Sequence, residues 1–203
     1  MIGIINYGLG NLGSIQNMLR VIGTKSVISD KADVLATCDH LILPGVGAFD
    51  AGMSRLAESG LNELIIKLVN DEKIPILGIC LGMQMLGRKS EEGELPGLAL
   101  IPFDNRRFCF KESNLKIPHM GWDIVDFKQK NQILNSMEGV QRYYFVHSYH
   151  AVCDNPDNVL MTCDYGYEFA AAVVKDNIYG VQFHPEKSHN FGMRLLKNFV
   201  KEC

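Results

Sequence analysis

From Pro75 to Ile79 the chain is apolar, too briefly for an independent helix. The run ends at a cysteine held between two glycines, Gly78-Ile79-Cys80-Leu81-Gly82. The residues that follow have helical character. This is the nucleophile-elbow pattern, in which a strand turns sharply into a helix and holds one side chain at the apex. Glycine is needed on both sides because a β-carbon there would strike neighbouring backbone in so tight a turn. Far downstream stands His184-Pro185-Glu186, a base and a carboxylate two positions apart. Thiol, imidazole and acid in this chain order imply covalent chemistry through an activated thiolate.

The elbow needs a sheet behind it, and the first half of the chain supplies one. Gly3 to Ile5 reads as a strand, and Asn11 is placed to cap a helix that runs to about Ile22 and stops at Gly23. Ser26 to Ser29 and His40 to Leu43 read as the second and third strands. Asp50 is expected to cap a helix continuing, in one or two pieces, to about Asn70. Ile76 to Ile79 is the fourth strand. Strand and helix in alternation predict βαβ units, a parallel sheet and right-handed crossovers. The second half reads as strands near 98–102, 106–110, 123–127, 143–146, 149–153, 159–163 and 169–174, joined by polar turns such as Asp154-Asn155-Pro156-Asp157-Asn158. Ile178 to Phe183 is a late strand that delivers His184. A closing helix from about Asn190 buries Leu195, Leu196, Phe199 and Val200 on one face. The expected fold class is α/β: a central, mostly parallel sheet flanked by helices, with antiparallel strand additions, in a single domain over 1–203.

Charge and composition remove several classes of function. A net charge of −3 gives no electrostatic reason to expect nucleic acid or an anionic membrane as partner. No apolar run approaches the roughly 20 residues that span a bilayer, and Met1 to Asn6 lacks the form of a signal peptide. A cytoplasmic location is expected. The six cysteines show no disulfide framework, and a chain of 203 residues can bury a core without staples. No Cys-x-x-Cys pair occurs, and the close spacing of His147, His150 and Cys153 fits alternating strand positions, so neither a metal nor a cofactor is expected.

Sites in open parallel sheets form at the carboxyl ends of strands, where Cys80 and His184 can meet. In extended backbone His184 and Glu186 point to one side, with Pro185 holding the bend. Glu186 then fixes the imidazole tautomer as the third member of a triad. An adjacent imidazolium and the N-terminus of the following helix both favour the thiolate form. A second glycine-rich turn, Leu43-Pro44-Gly45-Val46-Gly47-Ala48-Phe49, is either a plain strand–helix connection or a source of amides for an oxyanion, with the Leu81 amide as second donor. A phosphate loop has less support, because the Gly-x-x-x-x-Gly-Lys-Ser/Thr pattern is absent.

Taken together, these segments resemble the class I, triad-type glutamine amidotransferases, which have a flavodoxin-like fold. The resemblance covers essentially the whole chain. It also draws on Tyr7-Gly8-x-Gly10-Asn11-Leu12, Ser90-Glu91-Glu92, Pro118-His119-Met120-Gly121-Trp122, Phe145-Val146-His147-Ser148-Tyr149 and Gln182-Phe183-His184-Pro185-Glu186-Lys187-Ser188. It implies hydrolysis of L-glutamine to glutamate and ammonia. Cys80, His184 and Glu186 would be catalytic, with amides at Val46, Gly47 and Leu81 as oxyanion hole and Gln84, Glu92, Ser148 and Tyr149 on the substrate. The Pro-His-Met-Gly-Trp and His-Pro-Glu-Lys-Ser forms are similar to glutaminase subunits that pass ammonia to a (β/α)₈-barrel cyclase in histidine biosynthesis. On that resemblance Asn11, Pro118, His119, Met120, Trp122 and Lys187 form the docking face. The chain departs from the pattern at Asn6, where aspartate is usual, and at Phe103-Asp104-Asn105. These departures keep a paralogous subunit feeding another acceptor, such as a sugar-amidating system, as the alternative. A stand-alone thiol hydrolase would not need the docking face.

Overall fold

Four parallel pairings make the platform on which the elbow stands. In the computed structural model, which describes residues 1–110 and 115–203, β1 (Ile2–Ile5) lies between β2 (Ser26–Ser29) and β3 (His40–Gly45). β3 then pairs with β4 (Ile76–Cys80), and β4 with β12 (Ile178–Val181). The register sets Gly45 opposite Cys80 and Val181 opposite Ile79, so both flanking strands end level with the thiol.

The sheet continues antiparallel, from β12 through β11 (Glu168–Lys175), β10 (Val159–Asp164) and β7 (His119–Phe127) to β8 (Gln141–His147). The short β5 (Lys89–Ser90), β6 (Phe103–Arg107) and β9 (Tyr149–Cys153) branch from this path, giving twelve strands among the described residues.

Side-chain alternation sends apolar residues to both faces. Ile2, Ile4, Ile42, Leu77 and Ile79 meet α1 (Leu12–Val21) and α6 (His189–Glu202) through Ile15, Leu19, Leu195, Leu196 and Phe199. On the other face Ile5, Leu41, Leu43 and Ile76 meet the short α2 (Ala32–Leu35), α3 (Phe49–Glu58) and α4 (Leu61–Asn70). Each fully buried side chain of this kind contributes about 1.5–3 kcal/mol. With helices on both faces, the inner strands read as nearly continuous apolar runs.

Several expectations need correction. Asn11 stands at the start of α1, but its side chain makes no capping hydrogen bond. Asp50 does not cap α3 either. It lies inside the first turn and accepts amide hydrogens from Glu94 and Leu95, tying down the loop that carries Glu92. The helical stretch to Asn70 is in two pieces, one of the two forms expected, divided into α3 and α4 at Gly60, whose φ of 71° is left-handed. Residues 98–102 form no strand. The Leu98, Ala99 and Leu100 amides instead bond the carbonyls of Met85, Gly87 and Leu86, satisfying the end of α5 (Leu81–Met85). The strand expected at 106–110 is β6, shifted earlier.

Candidate active site

Cys80 occupies the apex of the turn between β4 and α5 with φ 55° and ψ −110°, a conformation that residues with a β-carbon rarely adopt. Close packing beneath it enforces the strain. A β-carbon on Gly78 would lie 2.7 Å from the Gly82 carbonyl oxygen, and one on Gly82 would run into the Leu43 carbonyl oxygen of β3. Tyr7 adds a tether by donating its hydroxyl hydrogen to the Pro44 carbonyl at 2.6 Å.

His184 follows β12, and its Nδ1 lies 2.8 Å from Glu186 Oε1. Both side chains are almost fully buried. The backbone here is not extended as expected. Pro185–Lys187 is one turn of 3₁₀ helix, and this turn swings Glu186 back onto the ring. With Nδ1 engaged, the buried Nε2 is the nitrogen left for Cys80. Nε2 is buried with no partner in regular hydrogen-bond geometry, and Cys80 lines the same cavity as His184. Burial by itself would push the imidazole pKa down. Hydrogen-bonding and charge interactions with Cys80 and Glu186 outweigh burial and raise it to about 9.

This shift carries a sign that can be tested. A folded pKa above the usual 6.5 means the imidazolium stabilises the fold fully below about pH 6.5, and this contribution is lost as pH rises through about 9. The melting temperature is therefore expected to fall between pH 7 and 10. In Cys80→Ala, which lacks the partner sulfur, that fall should be shallower. Parallel curves for the two proteins would mean the thiol and imidazole are not coupled.

A cavity of about 440 Å³ opens above the thiol, lined by Val46, Gly47, Cys80, Leu81, Gln84, Glu92, Pro118, Val146, His147, Ser148, Tyr149, His184 and Lys187. Every residue expected to bind substrate or oxyanion is among them. Gly47 has a left-handed φ of 98°, and no atom lies within 4 Å of where its β-carbon would stand, so nothing packs against that side of the turn. Leu81 opens α5, and first-turn amides have no acceptor within their own helix. Glu92 Oε2 accepts the Phe49 amide at 2.8 Å, taking the N-terminal role expected of Asp50. Gln84 donates from Nε2 to the Tyr149 carbonyl and to Gln182 Oε1, both at 3.1 Å, which leaves its oxygen as the group to offer a ligand.

Gln182 was missed by sequence reasoning. It is fully buried, and its Nε2 approaches Cys80 Sγ at 3.8 Å, so it supports both Cys80 and Gln84. Its position two residues before His184, at the end of an apolar strand, was the available signal.

The expected docking residues divide. Met120, Trp122 and Ile124 alternate outward along β7 and are exposed beside Val140. Trp122 is 43% exposed, stacks on His189 at 5.6 Å and lies under the Arg142 guanidinium at 5.7 Å. It belongs to the surface, not to a core cluster. Pro118 and Lys187 line the cavity, and Asn11 is half-buried. His119 does not belong to the outer face. Strand alternation turns it inward, 2% exposed, between the Phe145 and Tyr165 rings.

The model for the family "Glutamine amidotransferase class-I" matches residues 4–203. The chain belongs to the class-I glutamine amidotransferases. These are enzymes with a cysteine nucleophile, and the amidotransferase has curated relatives of its own length. It is 52% identical over 204 residues to "Imidazole glycerol phosphate synthase subunit HisH 2" of Methanococcus maripaludis, with 100% of both chains covered. It is 49% identical to the protein of that name from Pseudomonas aeruginosa, covering 99% of each. The subunit HisH of Bdellovibrio bacteriovorus is 48% identical over 98% of both. Among solved structures, one described as a glutamine amidotransferase superposes with TM-score 0.77 at 18% identity, over 98% of this chain and 97% of that one. PurLQS from Thermotoga maritima gives 0.74 at 19%, over 98% and 96%. At such identities these two speak to the fold alone. No helix of the amidotransferase, among the described residues, is long and apolar enough to cross a membrane.

Proposed function

We propose that this amidotransferase is the glutaminase subunit of an imidazole glycerol phosphate synthase. It would hydrolyse L-glutamine and pass the ammonia to a (β/α)₈-barrel cyclase in histidine biosynthesis, in the cytoplasm. The observation that carries the hydrolysis is the 2.8 Å contact between His184 Nδ1 and Glu186 Oε1, which leaves Nε2 buried beside a thiol on a strained elbow. Cys80 attacks the side-chain amide carbon of glutamine. The oxygen becomes an anion held by amides at Val46, Gly47 and Leu81. His184 gives its proton to the departing ammonia, and then takes one from the water that cleaves the thioester. The zwitterionic end of the substrate needs an acceptor for its ammonium and donors for its carboxylate. Glu92 and the Gln84 oxygen suit the first, and Ser148 and Tyr149 the second. The unpacked side of the turn at Gly47 supports a switch in which the partner, once loaded with its own ligand, turns the Val46 peptide towards the oxyanion. Such coupling is reciprocal in binding energy.

The exposed apolar strip Met120, Trp122, Ile124 and Val140, continuing from Pro118 at the cavity, supports the partner reading. Trp122→Ala is expected to weaken stimulation of glutaminase activity by the cyclase at least tenfold, while the melting temperature moves by no more than about 2 °C, the usual scale for a surface change. A drop well beyond that, with stimulation kept, would return Trp122 to a packing role.

One observation favours a second reading, that the acceptor is a different enzyme, such as a sugar-amidating one. The Methanococcus and Pseudomonas relatives both carry the name HisH 2, a number that implies more than one such subunit. Stimulation by a sugar-amidating partner, and not by the cyclase, would select it.

A further inference from the structure

His119, Asp123 and Cys163 are the one group of three metal-ligating side chains found together among the described residues. The sequence gives no hint of it, because β7 and β10 bring the ligands together from positions about forty apart. Thr162 pairs with Asp126, and continuing that register sets Cys163 diagonally across from Asp123 on the inner face. The three ligand atoms lie within 4.8 Å of one another, and His119 Nε2 is 3.3 Å from Asp123 Oδ2. A tetrahedral ion with bonds of about 2.0–2.1 Å to nitrogen and oxygen holds those two atoms about 3.3 Å apart, and with a bond of about 2.3 Å to sulfur holds sulfur about 3.5 Å from each.

Hydrogen bonding from the opposite side fixes which nitrogen of His119 is bare. His147 Nδ1 lies 2.8 Å from the Tyr149 carbonyl, which can only accept, so Nδ1 carries the proton. His147 Nε2 is then an acceptor, and His119 Nδ1, 3.1 Å away, donates to it. Neutral His119 therefore aims an unprotonated Nε2 at a carboxylate, two acceptors face to face. A proton on Nε2 resolves the conflict, and so does a cation bonded to both atoms, for which the 3.3 Å spacing is suited. Its charge would be welcome, since Asp126 and Asp164 also act on the Cys163 sulfur.

We propose that His119 Nε2, Asp123 Oδ2 and Cys163 Sγ bind one zinc-like divalent cation, with water in the fourth position. On binding, the sulfur–metal bond forms as the thiol proton leaves to solvent, so carboxylate and thiolate balance the two positive charges. The hydrogen-bonded chain from His119 through His147 to Tyr149 is the outer support that metal-bound histidines normally have. It ends on a residue of the catalytic cavity.

The test is equilibrium Zn²⁺ binding to the full chain, in competition with a chromophoric chelator. It is done in a Cys80→Ala background, because Cys80 and His184 could hold zinc themselves. One equivalent should bind, and adding Cys163→Ser or Asp123→Asn should weaken it at least roughly 100-fold, more than the 10–100-fold typical of outer-shell changes. Co²⁺ should give a thiolate charge-transfer band that Cys163→Ser removes. Asp123 is partly exposed, so Asp123→Asn serves even if Cys163→Ser misfolds. Absence of stoichiometric binding in Cys80→Ala, or binding indifferent to both substitutions, overturns the site, and neither result bears on glutamine hydrolysis.

Discussion

Cys80→Ala is expected to lower glutamine hydrolysis by at least about 10⁴-fold, the scale on which loss of a nucleophile is felt when the residues of a triad act as a unit. The complex with the proposed barrel partner should still form product from added ammonium salt. The division follows from the geometry. Cys80 stands on its own elbow beneath the cavity, and besides its interaction with His184 its side chain makes a 3.9 Å contact to the Val146 carbonyl and a 3.8 Å contact from Gln182. Removing the sulfur takes away the attacking atom and little of the packing. The measurement is glutamate release beside ammonia-dependent turnover in the same preparation. Loss of both activities would mean that Cys80 holds the structure together and the chemistry lies elsewhere.

The second large effect concerns shape. Gly82→Ala should lower stability by about 3 kcal/mol or more, because the new methyl would meet the Leu43 carbonyl, which is backbone in the middle of the sheet and cannot step aside. For a chain of this size that corresponds to a melting temperature roughly 10 °C lower. Gly13→Ala is the control of opposite sign. Gly13 is exposed in α1 with nothing within 4 Å of the added carbon, so alanine should gain up to about 0.5–1 kcal/mol from lost chain entropy. Thermal unfolding followed by circular dichroism reads both. A Gly82→Ala protein melting with the parent would show that β4 and α5 can separate and that the tight elbow is not what holds Cys80.

Local pattern accounts for much of this architecture. β2 and β9 lie where periodicity and turn residues place them, and strand–helix alternation was enough to indicate a parallel sheet around β4. The misses have a common cause. Residues 98–102 are as apolar as a strand, but they bond to the end of α5, and no local pattern tells which partner an apolar run will choose. Asp50 has the right residue type for a helix cap, yet it is Glu92, 43 positions beyond Phe49, that takes the Phe49 amide. His184 and Glu186 were expected to share a face of extended chain, and a 3₁₀ turn achieves the contact instead.

Two glycines around a cysteine, with His-Pro-Glu downstream, determined from sequence alone that a thiol would stand at the end of a parallel strand with a base and an acid in reach. These are short-range constraints, fixed by backbone sterics over a few residues. Only the tertiary structure decided that Gln182 backs the nucleophile, that Trp122 faces out while His119 faces in, and that Cys163 lies beside Asp123. Those outcomes depend on strand register and on which distant group reaches a buried polar atom first, and such competition is settled only when the whole sheet has assembled.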